Sequence, residues 1–357
     1  MRDTAAAPHA SHGSWRRWID LLLIAGTIAL VVAFARHVDW ASTWRSLRHA
    51  RVGLLLLAVA SDLASIVVKG LRWALLLNAV GARGVTPAIR DTIVGAALNN
   101  VVVANGGDAA RVAITARRSG ASSADVFAAL AVERFSDGAA YVALFGALAL
   151  GIALPGPFAK WSAVAVAGLA ATTLLCAWLV SRRSERVSTQ RARAIDSEAD
   201  PSRGVIRRTI AAVVRYVRRL AATTASVAAG KRFAIVLILS VIVWTGQWAT
   251  FHLTARAASL PISAVGSLLA LLVVNASFVV RVTPGNVGVF QLLYVLAATT
   301  MGVDKGSALA GGLLIQIVQY IPVTFIGLVL APAFARGRSR RDASAFVPTE
   351  THGTRAG

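Results

Sequence analysis

Long apolar runs constrain this chain more than any other feature of its sequence. Residues 161–180 and 233–255 form two such runs, and each is long enough to cross the roughly 30 Å hydrocarbon layer of a bilayer as a helix. The strands of a membrane barrel would alternate apolar and polar residues, and these runs do not alternate. They predict an all-α, polytopic transmembrane helix bundle.

Composition and charge support the same class of protein. Of the 357 residues, 56% are hydrophobic and 15% are charged, which is unlike a soluble domain of average composition. The net charge of +21 would suggest nucleic acid in a soluble chain, but here the basic residues lie between apolar runs, where topology and anionic lipid explain them. Cys176 is the single cysteine, and the six histidines show no ligand spacing. We therefore expect no metal, no cofactor and no nucleic-acid partner.

The remaining apolar runs set the expected number of spanning helices. The run at 19–35 is interpreted as an uncleaved signal anchor, with a cleaved signal peptide as the alternative. The run at 92–104 is too short to cross a bilayer. We expect about six to eight spanning helices with one or two re-entrant or broken helices. The other candidate helices are 52–68, 124–154, 262–280, 287–300 and 308–334.

The distribution of basic residues predicts the orientation. Residues 181–232 hold 13 Lys and Arg against 4 acids, so this loop should be cytoplasmic. An even number of crossings must then precede it, and this holds with a cytoplasmic N-terminus if 92–104 turns back. The Arg-rich segment 336–341 also favours the inside. The chain is thus expected to be a multi-pass protein of the inner (cytoplasmic) membrane.

These observations divide the chain into five parts. In the second transmembrane half, 262–280 and 287–300 either both cross the membrane or both turn back as a helical hairpin. The parts are a polar leader at 1–18, a first transmembrane half at 19–180 with a re-entrant segment at 92–111, the basic loop at 181–232, a second half at 233–335 with a Pro-Gly turn at 283–288, and a disordered basic tail at 336–357.

Two short apolar segments, each beside a glycine-containing turn, occupy corresponding places in the two halves. Segment 92–104 precedes a Gly-Gly-Asp sequence that ends at Asp108, and segment 287–300 follows the Pro-Gly pair at 284–285. Non-helical backbone at membrane depth is tolerated where it lines a cavity, and free N–H groups at helix starts attract anions such as a lipid phosphate. The pair predicts a transporter substrate site. The alternative is that both turns are ordinary interfacial loops.

A second group of residues places charge inside an apolar stretch. Glu133 and Asp137 are four residues apart and share a helix face, so they repel each other unless a cation joins them. Arg134 can pair with Asp137. A second cation is needed, and we expect Arg111 in this role ahead of Arg72. Such a set is either a structural ion-pair network or part of a substrate or proton pathway.

Arg281 directly precedes the Pro-Gly turn, where it would either contact an anionic head group or extend to the membrane interface. No residue is predicted to be catalytic. The predicted substrate-binding residues are Arg72, Asn99, Gly107, Asp108, Arg111, Glu133, Arg134, Asp137, Arg281, Pro284, Gly285 and Gly288.

The order of these residues resembles the lysylphosphatidylglycerol synthase transmembrane-region family, also described as flippase-like integral membrane proteins. The resemblance implies a lipid translocase. Members fused to a soluble domain transfer aminoacyl groups from tRNA to phosphatidylglycerol, and since only a short tail follows Phe334, we expect translocation without synthesis here. The matching residues are Arg72-Trp73 with Leu75 to Leu77 and Gly81, Asn99 through Gly107 with Asp108 and Arg111, Glu133-Arg134 with Asp137, and Pro284-Gly285 with Gly288-Val289-Phe290.

The sequence therefore favours a lipid flippase or lipid-linked-substrate transporter, with an anionic phospholipid or a polyprenyl-linked substrate as its partner. One alternative is a membrane-embedded enzyme that modifies a lipid head group, with Glu133 or Asp137 as general acid or base. The other alternative is an accessory subunit of an envelope glycosyltransferase.

Overall fold

The computed structural model describes residues 50–101, 106–151, 230–276 and 284–331, with isolated positions at 48, 164, 167–168 and 170–172. These four continuous ranges contain eight α-helices, one 3-10 turn and no β-strand, so the predicted all-α polytopic bundle is confirmed. The helices are α1 (Val52–Ala79), α2 (Val85–Val101), α3 (Gly106–Ser119), α4 (Ser123–Gly151), α5 (Gly230–Ala257), α6 (Ala264–Ala276), α7 (Val289–Thr299) and α8 (Lys305–Leu330).

Three of the described helices are long and apolar enough to cross a membrane. They are α1, the segment Lys231–Ala257 of α5, and α8. Helix α4 is as long, with 29 residues, but its first half includes the charged set predicted above. The candidate run at 19–35, all but a few isolated positions of the run at 161–180, most of the loop 181–232, the leader 1–18 and the tail 336–357 lie outside the described residues. The count of six to eight spans therefore stays a prediction.

Helix α1 extends eleven residues beyond the predicted end at residue 68. The charged residues Lys69 and Arg72 suggested that the helix stops there, since charge usually marks the edge of a span. Arg72 is instead fully buried and pairs with acids on α4, so its charge is neutralised inside the bundle. The helix can therefore continue to Ala79 with the charge enclosed.

Helices α2 and α3 fold back on each other as a hairpin. Asp91 lies opposite Thr115 and Arg118, while Asn99 lies opposite Gly107, so the two helices run antiparallel. The buried Asp91 carboxylate accepts hydrogen bonds from Thr115 at 2.8 Å and from Arg118 at 3.0 Å, which joins the helices at the open end of the hairpin. The described parts of α2 and α3 thus form an antiparallel pair, and the re-entrant course of 92–111 in the membrane stays a prediction.

The hairpin depends on a close approach of two glycines. A β-carbon added at Gly107 would lie 2.1 Å from the carbonyl oxygen of Gly95, so no larger residue fits at this crossing. Helix α2 also begins at Val85 rather than at residue 92. Pro87 lies in its first turn, where the missing N–H group costs no hydrogen bond, and the polar residues after it hid this turn from a hydropathy-based prediction.

Helices from the two halves of the chain pack directly against each other. Helix α5 packs closely alongside α1. Ser61 Oγ donates to the carbonyl oxygen of Gly246 at 2.9 Å, and a β-carbon added at Gly246 would lie 2.2 Å from Ser65 Oγ. Helix α8 packs on α2, where a β-carbon at Gly327 would lie 2.3 Å from the β-carbon of Ala97. The hairpin of the first half is therefore held by a span of the second.

Helices α6 and α7 are short and pack on each other. Their 13 and 11 residues correspond to about 20 and about 17 Å of helix at 1.5 Å per residue. The description of α6 ends at Ala276, directly before residues that lie outside the described ranges. Both alternatives for 262–300, two crossings or a helical hairpin, therefore stay predictions.

Candidate functional site

A single buried guanidinium joins three helices at the centre of the described bundle. Arg72 of α1 donates to both carboxylate oxygens of Asp137, at 2.5 and 3.0 Å, and to Glu133 Oε1 at 3.3 Å, both on α4. It also donates to Ser240 Oγ of α5 at 2.6 Å. Its side chain is 0% exposed, so all of this charge is neutralised within the protein.

The α2–α3 hairpin is tied to this group by Arg111. Its Nη2 donates to Glu133 Oε2 at 2.9 Å, and its guanidinium carbon lies 4.3 Å from the ring centroid of Trp73. Both arginines that were candidates for the second cation pair with the acids of α4. Both arginines contact Glu133, but Arg72 is the one that also holds Asp137.

Arg134 links the charged set to the start of α3. The predicted pair with Asp137 is present at 3.9 Å, and Arg134 also makes a short ion pair with Asp108, which spacing along the chain could not predict. Asn99 Nδ2 donates to Asp108 at 3.1 Å, while Asn99 Oδ1 accepts from the backbone N–H of Gly107 at 2.9 Å. The start of α3, which holds the Gly-Gly-Asp sequence, is therefore fixed by one side chain of α2.

The charges of this cluster balance. Three arginines face three acids, and every one of the six makes at least one ion pair. Enclosing a balanced, hydrogen-bonded set costs far less than enclosing an unpaired charge. We define the buried ion cluster as Arg72, Asp108, Arg111, Glu133, Arg134 and Asp137, of which Arg72, Arg111 and Glu133 are buried, Asp108 and Asp137 are partly buried and Arg134 is exposed at its edge.

The Pro-Gly turn is held by two glutamines. Residues Pro284–Asn286 form a 3-10 turn in which Gly285 has a φ of 59°, and the carbonyl oxygen of Gly285 accepts from Gln316 Nε2 at 2.8 Å. Gln316 also contacts Gln291 through a short hydrogen bond, and Gln291 Oε1 accepts from the N–H of Gly288 at 2.7 Å. Helix α7 thus starts from a turn whose backbone groups have partners on α7 and α8.

The end of α2 lies against the Pro-Gly turn, and we call these two segments the interrupted places. A β-carbon added at Gly285 would lie 2.9 Å from the carbonyl oxygen of Asn100 and 3.1 Å from a ring carbon of Tyr320. Asn100 Nδ2 in turn donates to Thr324 Oγ1 of α8 at 3.1 Å. The last described turn of α2 and the Pro-Gly turn are therefore in direct contact.

A cavity of about 240 Å³ opens beside this contact. Six of the predicted residues line it, while Arg72 lies behind its wall and Arg281 lies outside the described residues. Its polar and charged lining residues are Asp62, Lys69, Thr92, Asn99, Asn100, Asp108, Arg111, Glu133, Arg134, Asp137, Gln247, Asn275 and Gln319, with Trp244, Phe290 and Tyr320 among the apolar ones.

The other 15 of the 21 lining residues were not predicted as site residues, and Asp62, Lys69, Gln247 and Tyr320 are among them. Lys69 offered a signal, because it stands three residues before Arg72 and so on a neighbouring position of the same helix face. The described residues include no group of three or more His, Cys, Asp or Glu side chains arranged to hold a metal ion.

Comparison with known families finds a match, and it covers the residues of this site. A family described as "Lysylphosphatidylglycerol synthase TM region" matches residues 17–327, a range that includes both interrupted places and the whole buried ion cluster. A comparison with curated proteins finds no match.

Proposed function

The chain belongs to the lysylphosphatidylglycerol synthase transmembrane-region family, and from this premise we propose that it is a flippase or transporter for a phospholipid or lipid-linked substrate. In this proposal the head group crosses the membrane through the cavity while the acyl or prenyl chains stay in the surrounding lipid. An anionic phospholipid or a polyprenyl-linked substrate is the proposed partner.

The observation that supports the proposal most strongly is the position of the cavity. Charged and polar side chains line it, although it lies within a bundle whose outer faces expose large apolar side chains such as Ile238, Ile321 and Phe325. Ionisable groups inside a membrane bundle usually mark a substrate or ion pathway. Interrupted helices from both halves of a chain are the common framework of such pathways.

Lys69 is the residue that we assign to the head-group phosphate. Within the described residues its ammonium has no carboxylate within 4.0 Å, whereas the arginines of the buried ion cluster each contact an acid. The side-chain amides of Asn99 and Asn100 line the same cavity and offer further polar groups. Arg281 stays a proposed head-group contact.

A transporter fits the cluster better than a head-group-modifying enzyme does. A general acid or base must exchange a proton with its substrate. Glu133 and Asp137 are instead both held by Arg72, and Glu133 also by Arg111, so their oxygens are occupied by permanent cations. This arrangement supports a structural and substrate-shaping role for the two acids.

We also propose that the N-terminus and the loop 181–232 face the cytoplasm, with the protein in the inner membrane. Alkaline phosphatase fused within this loop should stay inactive, and an active fusion would overturn the orientation.

An envelope glycosyltransferase is proposed as a protein partner, and a mild-detergent pull-down from native membranes should recover it if the two form a stable complex.

Reconstituted vesicles test the proposed function. Purified protein is incorporated into vesicles that contain trace amounts of head-group-labelled lipid, and a membrane-impermeant quencher reports the fraction of label on the outer leaflet. Transport predicts that the quenched fraction rises from about half toward all of the label, faster than in protein-free vesicles. The proposal fails if no anionic or polyprenyl-linked lipid exchanges faster than in the protein-free control.

A further inference from the structure

We propose that Asp62 is a proton-binding site that faces the cavity and couples the cavity to proton movement across the membrane. The binding of the proton stands on the geometry around Asp62 alone. The coupling rests in addition on the proposed transport function, and the experiments below separate the two.

The position of Asp62 is unusual for a carboxylate. It lies on α1, ten residues after Val52 and hence about 15 Å along a helix long enough to span the membrane. The residue is 3% exposed and lines the cavity. Water that fills the cavity can therefore reach a carboxylate that is otherwise enclosed by protein.

The other buried acids of the described bundle all contact an arginine. Asp91 contacts Arg118, and the three acids of the buried ion cluster contact its three arginines. For Asp62, no Lys, Arg or His lies within 4.0 Å among the described residues. An unpaired carboxylate in a membrane interior carries a large desolvation cost, and binding a proton is the simplest way to remove it.

Neutral amides, not cations, surround Asp62. Gln247 Nε2 of α5 donates to Asp62 Oδ1 at 2.9 Å, and Gln247 Oε1 accepts from Gln319 Nε2 of α8 at 2.7 Å. This chain of side chains connects three spanning helices at one level. Amides position the carboxyl without neutralising it, so the site can hold either the acid or its conjugate base.

The charged group on the same helix that lines the cavity makes no ion pair with Asp62. Lys69 follows Asp62 by seven residues, an axial rise of about 10 Å along α1, and no contact within 4.0 Å joins the two side chains. No charged side chain of α5 or α8 lines the cavity. The charged groups that face the same cavity from the remaining elements are Asp108 and Arg111 of α3 and Glu133, Arg134 and Asp137 of α4, all held within the buried ion cluster.

The step itself is a simple protonation. A water-borne proton forms an O–H bond with the Asp62 carboxylate when the cavity is open to one side, and the same proton leaves to water when the cavity is open to the other. No other bond forms or breaks. Loss of the proton restores the negative charge, which favours a cation in the cavity and so links proton occupancy to the contents of the cavity.

Infrared difference spectroscopy of the purified full-length protein tests the proton site without any transport. As the pH is raised, the wild type should lose the carbonyl stretching band of a protonated carboxyl, and Asp62→Asn should lack that band. Asp304→Asn is the matched control, because Asp304 caps α8 at the surface, where hydrogen bonds from the Ser307 side chain and backbone lower the pKa of its carboxyl.

Three results would overturn the proton site. The first is an identical band in the wild type and in Asp62→Asn. The second is the absence of any pH-dependent carboxyl band in wild-type protein that retains its helical circular dichroism. The third is a band that responds to replacing sodium with choline at constant pH, since this would assign the site to a metal cation.

Vesicles with an imposed pH gradient test the coupling. The wild type should move labelled lipid several-fold faster with a gradient than without one, and Asp62→Asn should show the same rate in both conditions. A pH-dependent band together with gradient-independent transport would refute the coupling while the proton site stands. If no lipid moves at all, the proposed function fails, and the infrared result still decides the proton site.

Discussion

The guanidinium of Arg72 donates to both carboxylate oxygens of Asp137, at 2.5 and 3.0 Å, with no exposure of the arginine side chain. Paired donation of this kind fixes orientation as well as charge. It joins α1 to α4, while the same guanidinium reaches Ser240 on α5. The arrangement of the cavity wall therefore depends on one residue behind it.

Removing Arg72 should be severely destabilising. Arg72→Ala leaves Glu133 with one arginine and Asp137 with only the 3.9 Å contact to Arg134, and breaking a buried ion pair costs about 3–5 kcal/mol. Thermal unfolding in detergent should show a large fall in midpoint. Arg83→Ala is the control, because Arg83 is exposed on the turn after α1. Equal midpoints for the two variants would refute the role of Arg72.

Arg111 and Glu133 should be essential for transport. Arg111→Ala breaks the pair that ties the hairpin to α4, and Glu133→Ala leaves two arginines without that acid. Both variants should abolish lipid exchange in vesicles. Arg117→Ala on the exposed side of α3 should leave the rate unchanged at equal protein levels. Full transport by well-expressed Arg111→Ala or Glu133→Ala would refute the site.

The α2–α3 hairpin should not tolerate a side chain at its closest crossing. Gly107→Ala places a β-carbon 2.1 Å from the carbonyl oxygen of Gly95, so the helices must separate. Gly138→Ala is the matched control, because no atom lies within 4 Å of its β-carbon and alanine favours a helix by about 1 kcal/mol over glycine. The first variant should unfold at a lower temperature than the wild type and the second at an equal or higher one. The reverse order would disprove the close packing.

The contact between the two interrupted places can be isolated from backbone strain. Gly285 and Gly302 both have positive φ, at 59° and 83°, so alanine costs about 1–2 kcal/mol at each. A β-carbon at Gly285 also meets the carbonyl oxygen of Asn100, whereas one at Gly302 meets nothing within 4 Å. Gly285→Ala should therefore reduce lipid exchange far more than Gly302→Ala does. Similar losses in both variants would show that strain alone is responsible.

Sequence patterns predicted the parts of this fold that depend on local chemistry. Apolar runs located α5 and α8, and the Pro-Gly sequence located the 3-10 turn before α7. The i, i+3 spacing predicted the contact between Arg134 and Asp137, which the structure has at 3.9 Å. The family suggested by the residues is confirmed by a match over residues 17–327.

What the sequence did not predict depends on tertiary contacts. The end of α1 was misplaced because only the folded bundle brings two acids to Arg72. Asp91 was overlooked for the same reason, since its partners Thr115 and Arg118 follow a chain reversal. The anchoring of the Pro-Gly turn by Gln316 joins residues 31 positions apart, a pairing that no local spacing rule describes.

Cross-linking of a lipid head group tests the central claim most directly. In a Cys176→Ala background, Ala96→Cys places a thiol on the cavity wall, whereas Ile321→Cys places one on an exposed face in the middle of α8. Vesicles that contain maleimide-headgroup phospholipid should give a lipid adduct by mass spectrometry at position 96 and little adduct at position 321. The absence of an adduct at position 96, in protein whose thiol reacts after denaturation, would contradict entry of the head group into the cavity.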